Sequence, residues 1–490
     1  MTLQFKTQIK PNNSIYGSSL SLMTDLYQLT MAAAYFGQQM HEREAVFSLY
    51  FRKAPFGGKY AIVAGLETAI QYLQNLSFTE NDILYLKTLT DGAGSRLFSD
   101  YFLRYLSNFK FTCDIDAIPE GTVVFPNQPL VRVEGGLLAA QLVETALLNI
   151  INFQTLIATK AAHIVQAAQG DDVVEFGLRR AQGVDGGFSA SRAAYIGGCV
   201  ATSNVLAGKK LGIPVKGTHA HSWVMCFDNE LSAFRAYAKE MPNNCIFLVD
   251  TYDTLEGVKN AIIVGKELEK KNQRLIGIRL DSGELATLSI EARKLLDEAG
   301  FHHTKIIASN DLDADSIIGL KKEGARIDTW GVGTNLVTGG EQSALGGVYK
   351  LSALKTHNKH WQDKIKLSEN SSKTSIPGCL QVRRFFNSAT QKYEGDMIYD
   401  VSSPQIDRTD IIHTFDGRII DQPNDFGSND LLEPIFRHGN LVYEQPKLSK
   451  IQEYTREQLS LFQPILANYP VGLEQNLYQK RKTMIEQHKK

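Results

Sequence analysis

Between residues 171 and 351 the sequence repeats one pattern, in which a short apolar run ends in polar residues and a stretch of helical periodicity follows. Continuous apolar runs are typical of strands that are buried on both faces of a parallel sheet. Strand–helix repeats at this spacing favour a parallel (β/α) barrel, and an open doubly wound sheet is the alternative. The predicted strands, with their polar ends, are 173–180, 214–222, 245–254, 275–283, 305–313, 329–337 and 346–351.

The rest of the chain divides around this repeat and gives an α/β fold class with three regions. Residues 1–136 are predicted to form an N-terminal α+β domain, because 111–136 alternate and are rich in valine, proline and glycine. Residues 137–351 form the predicted barrel domain, and 352–490 form a C-terminal extension that packs on the other two. The apolar stretch 137–158 is interrupted by polar residues, which indicates a buried helix and not a membrane span.

The charge balance and the cysteine content indicate which kinds of partner this chain binds and which compartment it occupies. The 52 lysines and arginines nearly balance the 53 aspartates and glutamates, so there is no basic field for nucleic acid and no polybasic patch for a membrane. The expected partners are small molecules and other copies of the chain. The 5 cysteines are odd in number and show no C-x-x-C spacing, which argues against a disulfide framework and fits a reducing compartment, the cytoplasm.

The segment GTHAHSWVM at 217–225 places His219 and His221 one residue apart within a predicted strand. Side chains two positions apart in a strand share a face, so this pair could chelate a metal ion. The pair could also be structural, with no chemistry. A third interpretation is a histidine nucleophile, since a neutral imidazole can take up a phosphoryl group and pass its energy to a second step.

A metal barrel of the amidohydrolase type would need further ligands at other strand ends. None of the remaining histidines lies at the end of a predicted barrel strand, and His302 and His303 precede one. We therefore expect no metal held by protein ligands alone. The other histidines are His41, His163, His357, His360, His413, His438 and His488.

Groups that bind phosphate lie at the ends of other predicted strands. Arg179 and Arg180 follow one strand and Arg279 belongs to another, and the arginine fork matches pairs of phosphate oxygens. The loop GVGTNLVTGG at 331–340, which contains Thr334, could hold a phosphate with its backbone amides. There is no G-x-x-x-x-G-K-[ST] motif, so any ATP is bound by other means.

Two acidic segments have both a structural and a functional interpretation. Asp281 and Glu284 fit either a capping box at a helix start, or contacts to ribose hydroxyls or magnesium. Asp250 and Asp253 in LVDTYDT are faintly similar to the diphosphate-sugar motif of type I phosphoribosyltransferases. The adjacent acidic pair of that motif is missing, because Thr251 follows Asp250, and we discount the similarity.

Taken together, eight ordered segments resemble the nicotinate phosphoribosyltransferase family, which belongs to the type II phosphoribosyltransferases. The resemblance covers most of the chain, and the set of segments is specific although no single one is. The segments are TDLYQLTMAAAYF (24–36), EFGLRRAQGVDGG (175–187), SNVLAG (203–208), GTHAHSW (217–223), GIRLDSGEL (277–285), SNDLD (309–313), GVGTNLVT (331–338) and LGGVYKL (345–351).

The resemblance implies a reaction, co-substrates and a fold. Members of the family join nicotinate to the ribose of phosphoribosyl diphosphate, releasing nicotinate mononucleotide and diphosphate. ATP hydrolysis is coupled to this step through a phosphorylated histidine, and Mg²⁺ helps to neutralise the phosphates. The implied fold is an irregular (β/α) barrel beside an N-terminal α/β domain. The implied histidine in this sequence is His221, with His219 as its neighbour.

The resemblance also implies roles for residues that would contact the substrates. Thr218 would line the nicotinate pocket, and Arg179 and Arg279 would bind the nicotinate carboxylate or the phosphates. Tyr27 would stack on nicotinate in a neighbouring subunit, which implies a homodimer and explains an aromatic residue off the apolar stripe of its helix.

Four further residues complete the implied site. Gly333 with Thr334 would hold the 5-phosphate of phosphoribosyl diphosphate, and Asp281 would support Arg279 or the ribose. Asn310, in the SNDLD segment, is expected to contact substrate.

Two other classes of function stay open on the sequence alone, besides the metal-dependent barrel of the amidohydrolase type. Sister enzymes act on nicotinamide or quinolinate, although the segments at 24–31 and 217–223 favour nicotinate. A different class is a catalytically silent barrel that only binds a ligand, and the retention of polar residues at each strand end argues against it.

Overall fold

The computed structural model describes residues 19–356, 358–369, 373–403, 412–413, 417–420, 426–462 and 465–488. Residues 1–18 of the predicted α+β domain, and His357, lie outside the described residues. The chain splits into two compact units. We call Ile157–Ser343 the central unit, and Met1–Leu156 together with Ala344–Lys490 the terminal unit.

The helices are distributed over both units, and most lie between strands. In chain order they are α1 (Leu26–Gly37), α2 (Leu66–Gln74), α3 (Glu80–Thr88), α4 (Asp100–Ser107), α5 (Leu137–Leu142), α6 (Glu144–Ala167), α7 (Gly183–Ile196), α8 (Val205–Leu211), α9 (His221–Met225), α10 (Glu230–Glu240), α11 (Thr254–Glu269), α12 (Leu285–Glu298), α13 (Ala314–Lys322), α14 (Thr334–Val337), α15 (Leu448–Leu461) and α16 (Gln475–His488). Short 3₁₀ helices cover Pro55–Gly57, Leu178–Arg180 and Ile465–Asn468.

The strands form one parallel sheet in the central unit and antiparallel or mixed sheets in the terminal unit. In chain order they are β1 (Glu44–Phe51), β2 (Ala61–Ile62), β3 (Asp114–Ala117), β4 (Val123–Val124), β5 (Val131–Gly136), β6 (Asp172–Glu175), β7 (Ala201–Thr202), β8 (Ile246–Leu248), β9 (Gly277–Leu280), β10 (Lys305–Asn310), β11 (Thr329–Val332), β12 (Gly347–Lys355), β13 (Trp361–Asp363), β14 (Leu380–Asn387), β15 (Tyr393–Asp400), β16 (Ile412–His413), β17 (Ile419–Ile420), β18 (Phe426–Asp430), β19 (Glu433–Arg437), β20 (Asn440–Leu441) and β21 (Val471–Leu473).

The central unit is built on six parallel strands in the order β7-β6-β11-β10-β9-β8. Their middle residues are buried, as expected for a sheet covered by helices on both faces. The predicted α/β class with a parallel sheet is therefore confirmed. All six strands run in the same direction, so their carboxyl ends and the loops that follow lie along one edge of the sheet.

The predicted strand at 214–222 is wrong for most of its length. A single parallel bridge joins Val215 to Thr202, and the chain then runs without regular pairing to α9, which begins at His221. Because the segment does not continue as a strand, its alternation does not fix the directions of His219 and His221. The expectation that the two rings share one face fails for this reason.

The predicted barrel strand at 346–351 is also wrong, because this segment pairs elsewhere. It forms β12, which lies antiparallel to β1 in the seven-stranded sheet of the terminal unit. The pairing partner, β1, is about 300 residues away along the chain, and an apolar run does not indicate which distant strand it will pair with. The two compact units consequently cut across the three regions drawn from the sequence, since residues from both ends of the chain share one sheet.

Other sequence predictions for the terminal unit are confirmed. Residues 111–136 contain the antiparallel pair β3–β5. The helical run Leu137–Ala167 is long and apolar enough to cross a membrane by composition. Since 67% of its most apolar window is buried inside the protein, it is a core helix, as the polar interruptions indicate.

Two residues of helix α1, Tyr27 and Gln28, lie outside its apolar stripe. Gln28 is fully buried and donates its side-chain amide to Glu144 Oε2 at 2.9 Å, while Gln141 donates to Gln28 Oε1 at 2.8 Å. These bonds satisfy the buried amide and hold the helix in place. The ring of Tyr27, by contrast, is about half exposed.

Candidate active site

The polar residues at the carboxyl ends of the central strands lie along one edge of the parallel sheet. In parallel α/β proteins this edge carries the loops that bind ligands. In this protein β8, β9 and β10 place Asp250, Asp281 and Ser309 in mutual contact, as described below. The histidine pair approaches the same strand ends from the loop after Val215.

His219 is a structural residue with both ring nitrogens engaged. Its ring is 8% exposed and lies 5.0 Å from the ring of Tyr237, with Phe234 and Phe247 also around it. Nε2 accepts a hydrogen bond from the Leu248 amide at 3.3 Å, and Nδ1 is 3.4 Å from the carbonyl oxygen of Ala220. Burial lowers the pKa of His219 to about 4, with nearby Arg279 and His221 adding to the shift. His219 is therefore neutral at pH 7.

This low pKa predicts a specific loss of stability in acid. An unfolded histidine gains a proton below pH 6.5, whereas His219 in the fold resists protonation down to about pH 4. Stability is therefore retained above pH 6.5 and falls by about 2–3 kcal/mol between pH 6.5 and pH 4.5 through this group. Denaturant unfolding of the native chain and of His219→Asn at several pH values measures the effect. The variant should have the flatter pH dependence, and parallel curves would contradict the assignment.

His221, unlike His219, is accessible and sits at the first position of α9. Its side chain is 39% exposed. Nδ1 lies 3.1 Å from the hydroxyl oxygen of Thr251, and Nε2 lies 3.8 Å from Oδ2 of Asp281. A hydroxyl on one nitrogen and a carboxylate facing the other orient the ring and favour the tautomer that carries its proton on Nε2.

Asp281 belongs to a hydrogen-bonded network that joins three strand ends. Its amide donates to Asp250 Oδ2 at 2.7 Å, and Ser282 donates its hydroxyl to the same oxygen at 2.7 Å. Ser309 donates its hydroxyl to Asp281 Oδ1. The capping-box interpretation of Asp281 and Glu284 is wrong, because α12 begins at Leu285 and Glu284 forms no side-chain cap. Asp281 instead faces the histidine.

Arg279 brings a cation into the same network. It donates from Nη1 to the hydroxyl of Thr218 at 2.7 Å, which joins β9 to the loop that carries the histidines. Burial lowers the pKa of Arg279, Asp281 and Asp250 oppose that shift, and the charge of Arg179 adds to it. The guanidinium nevertheless stays protonated. The charges of the two arginines therefore influence one another.

Close backbone packing joins the loops that carry Arg179 and Thr334. A Cβ at Gly177 would lie 2.3 Å from Cγ1 of Val337 and 2.9 Å from the carbonyl oxygen of Gly333. Gly177 is therefore required for this approach. The loop after β6 and the loop after β11 meet at this point, so that Arg179 and Gly333 lie on adjoining segments.

Glu175 anchors the arginine loop from beneath. It is fully buried at the end of β6, accepts a hydrogen bond from the Gly177 amide, and accepts the hydroxyl of Ser191 at 2.8 Å. Thr202 on β7 also donates to it. One carboxylate thus fixes β6, β7 and α7 relative to one another.

The remaining predicted residues fall at the same edge, with one exception. Asn310 ends β10 and is exposed, with its side chain bonded to the Asp311 amide at 2.8 Å. Thr334 begins α14 and is half-buried. Arg180 is exposed within its 3₁₀ turn. Tyr27 belongs to α1 in the terminal unit.

Three residues of this arrangement were missed from the sequence, namely Thr251, Ser309 and Glu175. Each follows or ends a buried strand, which is the signal that could have identified it. Asp250 was noted but discounted for lack of an acidic neighbour, and the structure gives it a role as the acceptor that holds the Asp281 loop.

The arrangement fits phosphate chemistry better than chelation by the histidines. Across the part of the chain that the structure describes, no group of three or more His, Cys, Asp and Glu side chains could hold a metal ion. His219 has neither nitrogen free for one. Within the same residues, Arg279 Nε and Asp250 Oδ1 are buried without a hydrogen-bond partner. Buried polar groups are normally paired, so this cation and this carboxylate are candidates for contact with a ligand.

Comparisons with known proteins agree with this chemistry. Three family models match, described as the nicotinate phosphoribosyltransferase N-terminal domain (residues 22–152), family (172–396) and C-terminal domain (380–481). A nicotinate phosphoribosyltransferase of Bacillus subtilis is 47% identical over 96% of this chain and 96% of its own length. One of Dictyostelium discoideum is 38% identical over 93% of this chain and 85% of its own. The crystal structure of the human nicotinic acid phosphoribosyltransferase superposes with a TM-score of 0.81 at 29% identity, covering 94% of this chain and 99% of that one.

Proposed function

This chain belongs to the nicotinate phosphoribosyltransferase family, and from that premise we propose that ATP hydrolysis drives its reaction through a phosphorylated His221. The enzyme transfers a phosphoribosyl group to nicotinate, as its relatives' names state, and phosphoribosyl diphosphate is the donor in this family. The single observation that carries the proposal is the different setting of the two histidines. His219 is buried and engaged at both nitrogens, whereas His221 is exposed between Thr251 and Asp281.

The surroundings of His221 assign the reacting nitrogen. Asp281 faces Nε2 and favours a proton there, which leaves the lone pair of Nδ1 as the nucleophile. The bond from the γ-phosphorus of ATP to the bridging oxygen breaks as the bond from Nδ1 to phosphorus forms, and ADP leaves. The ring keeps its proton on Nε2 and becomes positively charged. The carboxylate of Asp281 offsets that charge, which identifies it as the supporting residue of this step.

The substrates of the transfer step are assigned to the other groups of the same edge. Arg179 and Arg279 bind the nicotinate carboxylate or the phosphates, since both are cations near one another. Thr218, bonded to Arg279, lines the nicotinate pocket. Transfer passes through a cation-like ribose, so the enzyme must hold base and diphosphate in line and neutralise the leaving diphosphate.

Three further contacts complete the substrate assignment. Gly333 and Thr334 hold the 5-phosphate, on the loop that packs against the arginine loop. Asn310 contacts substrate from the exposed end of β10.

Mg²⁺ fits this donor set as a partner of phosphates. Mg²⁺ is usually held by one or two carboxylates together with substrate oxygens. Asp250 and Asp281 are carboxylates of that kind. Among the described residues, Oδ1 of Asp250 is buried and has no hydrogen-bond partner. When bound, the ion would neutralise charge on the phosphoryl groups.

We infer that the central strands close as an irregular barrel. Every strand except β7 neighbours the next one along the chain, and the last strand, β11, pairs with the first, β6. A doubly wound sheet reverses its order at an interior strand, and this sheet does not. At one end of the sheet, Val215 pairs with Thr202 of β7. At the other end, Leu248 of β8 donates to His219, four residues after Val215, so the segment 215–219 bridges the two ends.

We also propose that the enzyme is a homodimer of the cytoplasm. Tyr27 and its neighbour Leu26 are about half exposed on α1, as suits an aromatic residue offered to a second subunit. A sedimentation mass of one chain, 54.5 kDa, would contradict the dimer. The 5 cysteines are all unpaired, in keeping with a reducing compartment.

The experiment is product formation from phosphoribosyl diphosphate and Mg²⁺, with nicotinate or nicotinamide, in the presence and absence of ATP. Nicotinate mononucleotide is expected, in greater yield with ATP. A yield that ATP leaves unchanged would contradict the coupling, and product from nicotinamide alone would contradict the substrate.

A further inference from the structure

The last residue of β8 contacts His219, and the loop that follows reaches His221 through Thr251. Within the residues that the structure describes, the hydroxyl of Thr251 makes one hydrogen bond, 3.1 Å to Nδ1 of His221. We propose that Thr251 is a further catalytic residue, whose hydroxyl donates to Nδ1 in the resting enzyme and to a phosphoryl oxygen once His221 is phosphorylated. This inference rests on the proposed function of His221.

The direction of the hydrogen bond follows from the opposite side of the ring. Oδ2 of Asp281 lies 3.8 Å from Nε2 and, being an ionised acceptor, favours a proton on that nitrogen. Nδ1 then has only a lone pair, so Thr251 must be the donor. Thr251 thereby restricts rotation of a ring whose side chain is 39% exposed.

The same hydroxyl suits the phosphorylated state. When Nδ1 bonds to phosphorus, it can no longer accept a hydrogen bond. The Thr251 side chain turns about its Cα–Cβ bond, which takes the hydroxyl oxygen off the line of the new bond from Nδ1 to phosphorus, and the hydroxyl donates to one of the three phosphoryl oxygens. No proton is gained or lost by Thr251 in this exchange. A hydrogen bond to a charged oxygen is stronger than one to neutral nitrogen, so the product of phosphoryl transfer is favoured.

Thr251 is not needed to hold its own loop. The carboxylate of Asp250 already fixes this segment to the amide of Asp281 and the hydroxyl of Ser282. Asp253 caps α11 by accepting from the Glu256 amide at 2.9 Å. Loss of the Thr251 hydroxyl is therefore expected to change the chemistry at His221 and to leave the fold intact.

The test is the rate of acid-labile phosphoenzyme formation from γ-labelled ATP in Thr251→Val and Thr251→Ser. The valine variant should react about tenfold more slowly at saturating ATP, as expected for one lost hydrogen bond, with little change in KM for ATP. The serine variant keeps the hydroxyl and should stay within about threefold of the native rate. Thr254→Val is the matched control, since the hydroxyl of Thr254, three residues on, makes no hydrogen bond among the described residues.

The outcomes separate this inference from the proposed function. Thr254→Val should form nicotinate mononucleotide without ATP at the native rate, and all four proteins should share one midpoint of denaturant unfolding, which verifies intact folding. A native phosphorylation rate in Thr251→Val overturns the inference, and so does a serine variant as slow as the valine variant. If His221→Ala still forms the phosphoenzyme, the proposed function itself fails, whatever the Thr251 variants show.

Discussion

His221→Ala is expected to lower ATP hydrolysis and phosphoenzyme formation by at least about a thousandfold, because it removes the nucleophile itself. Formation of nicotinate mononucleotide without ATP should persist at a comparable rate. The residues assigned to nicotinate and the phosphates, including the bonded pair Thr218 and Arg279, are not altered by the change. The yield of product should no longer respond to ATP.

His302→Ala is a suitable control for the His221 variant. His302 belongs to the same unit, has a side chain that is 66% exposed, and contacts only Asp297 among the described ionisable groups. It should behave as the native enzyme in all three measurements. ATP hydrolysis at the native rate in His221→Ala would show that the phosphoryl group goes elsewhere.

Arg279→Ala is expected to lower kcat/KM for nicotinate by about a thousandfold, with or without ATP. Removing a preorganised group that stabilises developing charge typically has an effect of this size. Arg279 is half-buried, is hydrogen-bonded to Thr218, and feels the charge of the second cation, Arg179. Loss of Arg279 removes the positive charge that would stabilise the nicotinate carboxylate or the diphosphate. It also leaves the negative charges of Asp281 and Asp250 less balanced. The effect should therefore appear in kcat as well as in KM.

Arg279→Lys tests whether charge or geometry matters. A lysine restores the positive charge but not the planar fork, so it should recover only part of the activity. The midpoint of denaturant unfolding should be measured for both variants, to separate catalysis from folding. Activity of Arg279→Ala within about tenfold of the native value would contradict the role assigned to this residue.

The sequence predicts the parallel sheet well, because burial on both faces leaves a direct trace in composition. The strands β8, β9, β10 and β11 each lie within a predicted apolar run, β6 begins one residue before its run, and polar residues at the ends of β8, β9 and β10 do come together. The same logic fails at 346–351. An apolar run states that a segment is buried and does not state which sheet buries it, and β1 is its partner.

The histidine pair shows a second limit. Its spacing suggests one face of a strand, but regular pairing stops at Val215 and α9 begins at His221. The two rings differ because of tertiary contacts that a local sequence pattern does not contain. The Leu248 amide donates to the ring of His219, and the Thr251 hydroxyl contacts the ring of His221. The proposal that His221 is the reactive histidine came from the resemblance to a family. The structure supplies a physical reason for the choice between the two rings.

Labelling of the native enzyme with γ-labelled ATP, followed by location of the label in the peptide 217–225, tests the central claim most directly. The account predicts one acid-labile phosphoryl group per chain, on His221, which is discharged when nicotinate and phosphoribosyl diphosphate are added. ATP hydrolysis without any covalent label, or a label on another residue, would contradict it.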